Sequence, residues 1–437
     1  MLTVIMAGGK GTRISELFPD IPTPLIPIQS NPILEREICS LISQGFTDII
    51  LTVSYRSDLI QDYFGDGKKW GCHIDYFVED TPLGNAGALF KLRSRIGNEA
   101  FLLLNADTMF DVDFNRMVAF HKEHNATVTL FTHPNSHPYD SGVLIAADDM
   151  SVEAWLTKED IRPEWYKNRV NAGLHVIDPK ALDTVDIDTE KIGTIGENGK
   201  TIKVDLDRQV LKPFCATHTM YCYDSPEYVK DVGTPERFQQ VEEDIKTGIV
   251  EAKNLKQRQR AIFLDRDGTI NKYVGFLRNI DELELLPRVA EAIKIINKSG
   301  YLAIIVTNQP VIARGEISSL ELQNIHNKLE TILGYSGAYV DAIYYCPHHP
   351  DSGFEGEVKE LKISCSCRKP KPGLLLKASD DFNIDLSKSW MIGDGKNDIL
   401  AGKNAGCRTI LIGNDSTSVK DADFICNDLL EAVNTII

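Results

Sequence analysis

The chain has 437 residues and a formal net charge of −16 at pH 7, with 25% charged and 43% hydrophobic residues. That length exceeds what one hydrophobic core usually serves, so two domains are expected; the acidic balance argues against nucleic acid or an anionic membrane as the main partner but allows local phosphate sites. No apolar run approaches a membrane span, and the start MLTVIMAGGKGTR lacks the basic region and cleavage site of a signal peptide, so the nine cysteines are expected in a reducing cytoplasm, where close thiols serve metals more often than disulfides.

Short apolar runs alternate with helical patterns along the whole chain. LTVIMA (2–7), DIILTV (48–53), HIDYFV (73–78), AFLLLNAD (100–107) and ATVTLFT (126–132) read as strands, with a helix over Ile33–Gln44. After a helical segment at Pro235–Ile245 comes a polar, basic stretch, and a fresh strand then opens AIFLDRD (261–267), followed by LAIIVTN (302–308), SWMIGD (389–394) and RTILIG (408–413), with a helix over Arg288–Lys298. The alternation predicts α/β layers with mainly parallel sheets. The domains are expected at residues 1–245 and 259–437, joined by a linker at 246–258.

In the first half, TVIMAGGKGTRI is a strand feeding a glycine turn. Gly8, Gly9 and Gly11 let backbone N–H groups approach phosphate oxygens, and Arg13 adds a charged fork. LLLNAD ends a strand at Asp107 and VKDVGTPE offers Asp231; two such carboxylates could share one Mg²⁺ on a nucleotide's phosphates, although each alone also suits a cap or turn. The ordered set AGGKGTR, PTPLIPI, TPLGNAGAL, LNADT, YDSGV, NAGLHVID and DVGTPE resembles the sugar-1-phosphate nucleotidyltransferases. The resemblance implies a Rossmann-like fold and a nucleotide cradle at Ala7, Gly8, Gly9, Gly11, Thr12 and Arg13, with base contacts near Leu83 and Gly84. It also implies sugar-side contacts from Gly142, Lys158 and Asn171, and Mg²⁺ on Asp107 and Asp231. The reaction implied is in-line attack of a sugar phosphate on the α-phosphorus, with pyrophosphate leaving. Two positions depart from the family pattern: Thr23 stands where a lysine is usual, with Lys10 the alternative cation, and Thr157 precedes Lys158 where glutamate is usual.

In the second half, AIFLDRDGTIN places Asp265 and Asp267 at the end of a buried strand, pointing the same way. One carboxylate can attack phosphorus while the other handles the leaving group's proton. Two such anions require a cation, and WMIGDGKND supplies Asp394 as a further Mg²⁺ ligand; Thr307 and Asn308 end another strand as donors to phosphoryl oxygens, and Lys369 neutralises the transferring group. D-x-D-G-T, Thr-Asn, Lys and G-D-x-x-x-D at successive strand ends resemble the haloacid dehalogenase phosphatase superfamily, which implies a doubly wound parallel sheet. Only about forty residues separate Asp267 from Thr307, too few for a large cap there.

YYCPHHP and SCSCRKPKPG supply Cys346, His348, Cys365 and Cys367, a C-x-H…C-x-C set that fits a closed, structural tetrahedral Zn²⁺ site, with His349 the alternative imidazole. Such a metal would pin loop 346–367 so that Arg368 and Lys369 reach phosphate. FLDRDGTIN, TNQ…IARG and CRKPKPG together resemble the heptose 1,7-bisphosphate 7-phosphatases, with histidinol-phosphate phosphatases as near relatives. That likeness implies Asp265 as nucleophile and Asp267 as acid/base. It further implies Mg²⁺ on Asp265, Asp394 and the Asp267 carbonyl, and Arg368 and Lys369 on substrate. Pro310-Val311 replaces the family's Ser-Gly, and Gly395 a frequent lysine.

The combined expectation is a cytoplasmic bifunctional enzyme of nucleotide-activated heptose synthesis, taking sugar phosphates and an NTP, with GTP expected by analogy to the heptose 1-phosphate guanylyltransferases. The rivals are another sugar or base, or an N-terminal domain that only senses nucleotide sugars. Self-association as a homo-oligomer is left open.

Overall fold

The computed structural model describes residues 1–9, 11, 13–157, 159–353, 355–413 and 421–437. Thr12 and Lys158, two expected ligand contacts, and Lys10, the alternative cation, lie outside these residues. The chain divides into two compact units. The first comprises Met1–Thr132, Leu144–Trp155 and Asn171–Glu251, and the second His133–Val143, Leu156–Val170 and Ala252–Ile437.

The first unit is built on a nine-stranded sheet. Its strands are β1 (Leu2–Ala7), β2 (Asp48–Val53), β3 (His73–Val78), β4 (Phe101–Asn105), β5 (Val128–His133), β6 (Val143–Ala146), β7 (Val152–Leu156), β8 (Val170–Ile177) and β9 (Met220–Asp224). The main path runs β7-β6-β8-β4-β1-β2-β3, and β5 with its parallel partner β9 branches from β8. β1 is parallel to both β2 and β4, whereas β8 is antiparallel to β4. Alternate residues of the central strands feed opposite cores: Val4 and Leu103 pack on one side, Ile5, Leu102 and Leu104 on the other. Helix α1 (Ile33–Ser43) turns Leu34, Ile38 and Leu41 into the second of these cores. Helix α2 (Pro235–Lys246) starts with Thr234 as N-cap, whose hydroxyl accepts from the Arg237 N–H, and with proline at the first position.

The second unit is built on six parallel strands in the order β12-β11-β10-β13-β14-β15. They are β10 (Arg260–Leu264), β11 (Tyr301–Asn308), β12 (Ala342–Cys346), β13 (Trp390–Gly393), β14 (Arg408–Ile412) and β15 (Phe424–Cys426). Ile262 and Leu264 of β10 join one core and Ala261 and Phe263 the other, as a parallel strand covered on both faces requires. Chain order reverses beside β10, which makes its carboxyl end a switch point where α/β sheets open a crevice for ligands. Helices α3 (Val289–Asn297), α4 (Ser319–Tyr335), α5 (Gly373–Phe382) and α6 (Lys396–Ala405) cover the faces. α4 begins with a capping box of Ser318 and Glu321 and buries Leu322, Ile325, His326 and Leu329. Between Asp267 and Thr307 the regular helices are α3 and a single 3₁₀ turn at Ile280–Glu282, so no cap domain is inserted there. Residues 246–258 contain a short helix, Ile249–Ala252, and buried Lys253, Asn254 and Leu255.

Candidate active sites

In the first unit, buried Ala7 ends β1 and hands the chain to the glycine loop. Gly11 has φ +57°, and a methyl group there would overlap the Thr23 Oγ1, so glycine is required both by backbone and by space. Thr23 is itself 6% exposed, and its hydroxyl has no hydrogen-bond partner among the described residues. The guanidinium of Arg13 approaches Gly233, 3.0 Å from where a β-carbon would sit, beside Asp231. Burial and the charge of Asp231 push the Asp107 carboxyl up, with Arg13 opposing. The expected Asp107, Asp231 and Arg13 are thus brought together.

Two anions facing one another fit a divalent cation. Asp231, however, already receives both its oxygens' bonds from Arg237 Nη1, at 2.7 and 2.6 Å, so sharing a metal requires it to loosen that pair. Behind Asp107 lies Glu37 of α1, 1% exposed, pushed well up by burial and by the Asp107 charge. Leu83 points its side chain into the core, and its N–H donates to Glu79 Oε2 at 3.2 Å. Gly84, at φ +85°, lies so close to the Val204 backbone that no β-carbon fits. Asn171 accepts from the Gly173 N–H at 3.2 Å and contacts His175 Nε2 at 3.2 Å. Gly142 precedes β6 in a segment that belongs to the second unit.

In the second unit the candidate reacting groups hang from the carboxyl ends of β10, β11 and β13. Asp265 follows β10, and its carboxylate accepts from Lys369 Nζ at 2.6 Å. Lys369 is 2% exposed and also donates to the Val306 carbonyl at 2.8 Å and pairs with Asp398 at 2.6 Å. Burial pushes the Lys369 ammonium down, but Asp265 and Asp398 outweigh it and hold it above its ordinary value. Asp265, Asp394 and Asp398 bring carboxylate oxygens within 4.8 Å of one another. Burial, then Asp398, pushes Asp265 up, and the same two causes raise Asp394 to about 6. Crowded hard oxygen donors whose ionisation is resisted are the chemistry a Mg²⁺-sized cation relieves, so the donor set fits that ion.

Asp267 differs. Burial pushes it up, but Arg266's charge and bonds from Arg266, Asn271 and Gln309 prevail and hold it below the usual carboxylate range. Its side chain therefore faces donors rather than the carboxylate cluster. Thr307 is 1% exposed and accepts from Gln309 Nε2 at 2.9 Å. Asn308 engages the main chain of Lys369 with both ends of its amide, each at 3.0 Å, and so positions that lysine. Arg368 donates to the His348 carbonyl at 3.2 Å.

Cys346, His348, Cys365 and Cys367 converge as expected. Sulfur–sulfur separations are 3.2–3.5 Å and His348 Nδ1 lies 3.4 Å from Cys367 Sγ. Bonded sulfurs would stand about 2 Å apart, whereas a tetrahedron of ~2.3 Å arms has edges of about 3.8 Å; the four donors fit a structural zinc. His349 turns away and accepts from the Asp351 N–H at 3.1 Å.

Several contributors escape inspection of the sequence. Asp398, which the sequence analysis passed over, closes the G-D-x-x-x-D pattern, and Arg266 and Gln309 sit inside the DRD and TNQ motifs, so those patterns could have pointed to them. Arg237, Glu79 and His326 carry no local signal.

Residues 2–248 match the nucleotidyl transferase family and residues 366–432 a HAD-hydrolase-like family. A D-glycero-β-D-manno-heptose-1,7-bisphosphate 7-phosphatase of Haemophilus ducreyi is 38% identical over 181 residues, 40% of this chain and 97% of that protein. Its counterpart in Escherichia coli K12 is 38% identical over 181 residues, 40% of this chain and 93% of that protein. Among solved structures, HddC of Yersinia pseudotuberculosis complexed with GMP-PN is 24% identical, covering 56% of this chain and 99% of that one, with a TM-score of 0.46. The chain belongs to the nucleotidyl transferase family through its N-terminal part and to the heptose-bisphosphate 7-phosphatase family through its C-terminal part, and is a bifunctional enzyme.

Proposed function

We propose that the C-terminal half removes the 7-phosphate of D-glycero-D-manno-heptose 1,7-bisphosphate. The N-terminal half then joins the resulting heptose 1-phosphate to GMP drawn from GTP, giving GDP-D-glycero-α-D-manno-heptose and pyrophosphate. The observation that carries the reading is the buried Lys369 joining Asp265 and Asp398 at 2.6 Å, in a chain 38% identical to a heptose-bisphosphate 7-phosphatase across nearly all of that protein.

In the phosphatase, an Asp265 oxygen attacks the 7-phosphorus, the bond from phosphorus to the sugar oxygen breaks, and Asp267, in its protonated form, gives that oxygen a proton. Water then attacks the phosphoaspartate, Asp267 takes its proton, and Asp265 is released. Lys369 and Thr307 hold the phosphoryl oxygens, and Arg368 reaches the substrate. Asp265, Asp394 and the Asp267 carbonyl, with Asp398 beside them, would hold Mg²⁺, which supplies charge neutralisation at phosphorus. In the transferase, the glycine loop and Arg13 cradle the triphosphate, and Asp107 and Asp231 would hold Mg²⁺ there. Both substrates are small molecules of the cytoplasm, and no helix among the described residues is long and apolar enough to cross a membrane.

The test is one turnover assay with heptose 1,7-bisphosphate and GTP that follows phosphate, pyrophosphate and nucleotide sugar together. Phosphate release without pyrophosphate, across a panel of NTPs and sugar 1-phosphates, favours a sensing N-terminal domain. A second reading, the β-anomer as substrate, is favoured by the anomer in the names of the related phosphatases; presenting both anomers in the same assay separates the two.

A further inference from the structure

We propose that His326 is a positioning residue for Asp267, acting through Arg266; this rests on the phosphatase reading above. Arg266 is the largest fully buried side chain among the described residues, at 0% exposure. A guanidinium out of water is stable only where its charge and donors are met. Its Nε and Nη2 donate to Asp267 Oδ1 at 3.2 and 3.0 Å, and Nη2 also to Oδ2 at 2.8 Å. Nη1 points the other way, to His326 Nε2 at 3.2 Å. A guanidinium has no lone pair to offer, so the imidazole nitrogen must accept. The ring is therefore neutral, with its proton on Nδ1. Burial and the Arg266 charge hold it so by pushing its pKa down to about 3.

This arrangement clamps Arg266 at both ends. Arg266 and Asp267 are adjacent in the hydrogen-bonded turn after β10, and their pairing is set by side-chain rotamers, which the main chain alone does not fix. His326 is carried by α4, on the face that buries Leu322, Ile325 and Leu329, and is 2% exposed. It supplies a fixed far end. Gln309 completes the frame, donating to Asp267 Oδ2 and to Thr307 Oγ1, each at 2.9 Å. The acid/base carboxylate is thereby registered against a phosphoryl-binding hydroxyl. Proton transfer in a transition state demands heavy-atom alignment near 3 Å, and a displacement of about 1 Å can cost two orders of magnitude.

The test uses the full chain with His326→Met and His326→Gln, side chains of equal length of which only glutamine presents an acceptor to Arg266. Single-turnover phosphoryl transfer is measured from heptose 1,7-bisphosphate, whose alkoxide needs a proton, and from p-nitrophenyl phosphate, whose phenolate leaves without one. His326→Met is expected to slow transfer from the sugar phosphate by about 10–100-fold at unchanged KM, to leave transfer from the aryl phosphate near the wild-type rate, and His326→Gln to restore the former. Wild-type rates in His326→Met, equal losses on both substrates, or no restoration by glutamine would overturn the proposal. If the methionine variant does not fold, His326→Asn, whose amide falls short of Arg266, takes its place against glutamine with the same expected split. Asp267→Asn must show that split as well; if it processes the sugar phosphate at the wild-type rate, the acid/base reading itself fails and the positioning role falls with it.

Discussion

Replacing Gly268 by alanine tests the geometry of the carboxylate cluster. Gly268 has φ +86°, its N–H donates to the Asn271 carbonyl at 2.8 Å, and an added β-carbon would lie 2.6 Å from Asp394 Cγ and overlap Oδ2. An L-residue in the left-handed region costs roughly 1–2 kcal/mol. The overlap adds a choice between moving the loop that carries Asp267 and driving the Asp394 carboxylate away from Asp265 and Asp398. Either displacement degrades the donor set, and disturbing what orients a metal ligand typically costs about 10–100-fold in metal affinity. Gly268→Ala is therefore expected to raise the Mg²⁺ concentration at half-maximal phosphate release by about 10–100-fold. It should lower the melting temperature of the metal-free phosphatase transition by roughly 2–8 °C and leave nucleotidyl transfer unchanged. The assay is a Mg²⁺ titration of phosphate release beside thermal unfolding in chelator. An unchanged Mg²⁺ midpoint and unchanged melting temperature would refute the account of why glycine stands there.

Asp265→Asn should abolish phosphate release from heptose 1,7-bisphosphate, since an amide cannot form the phosphoryl-enzyme, while pyrophosphate release from supplied heptose 1-phosphate and GTP continues; residual phosphatase turnover would remove Asp265 as nucleophile. Purified protein should carry about one Zn²⁺ per chain, and Cys365→Ser should lose it and weaken the phosphatase more than the transferase; metal analysis finding no zinc in protein made with zinc present would contradict this. Thr23→Lys, at a buried site whose hydroxyl abuts Gly11, should raise nucleotidyl transfer by about one to two orders of magnitude, from a charge-assisted bond of roughly 1.5–3 kcal/mol; an equal or lower rate in folded protein would show that another cation already serves. Burial lowers His121 and His175 to about 4, so the unfolded chain binds protons first and both groups withdraw stability as pH falls from about 6.5 to about 4, by at most ~1.4 kcal/mol per pH unit each. Raised carboxylates such as Glu37 act with the opposite sign, so the readout is the difference between wild type and the His121→Gln, His175→Gln double variant; parallel pH profiles would sink the assignment.

Strands were legible where both faces are buried, because continuous apolar runs leave little else: LTVIMA and DIILTV became β1 and β2 at the residues read, and the largely exposed HIDYFV became β3 through its β-rich composition. Helices read as Ile33–Gln44 and Arg288–Lys298 differ from α1 and α3 by a residue at an end, within the fraying of any helix terminus. The clustered aspartates and the thiol set were legible because their spacing is local. What stayed hidden is what spacing cannot encode. His326 meets Arg266 across 60 residues of sequence, and nothing in a stripe that otherwise reads as apolar core marks one imidazole as an acceptor for a buried guanidinium. Arg237 hides likewise, as an ordinary first-turn residue of α2, until the fold sets it on Asp231. Asn308 carries a contact that spacing does not announce: a strand-end amide reads as a phosphate donor, and the fold also brings the Lys369 main chain to it.

Placing the reacting groups at the ends of β10, β11 and β13 separates two kinds of evolutionary freedom. Asp265 and Asp394 follow, and Thr307 lies near the end of, strands whose residues are almost all fully buried, so these side chains are tied to the most deeply buried part of the unit. The segment that meets solvent at Tyr273, Val274 and Phe276 after β10 lies outside the sheet. It can be lengthened, shortened or rewritten without disturbing the core. A lineage carrying this frame can therefore exchange one phosphorylated sugar for another through loop drift alone, keeping its phosphorus chemistry as an inherited constant.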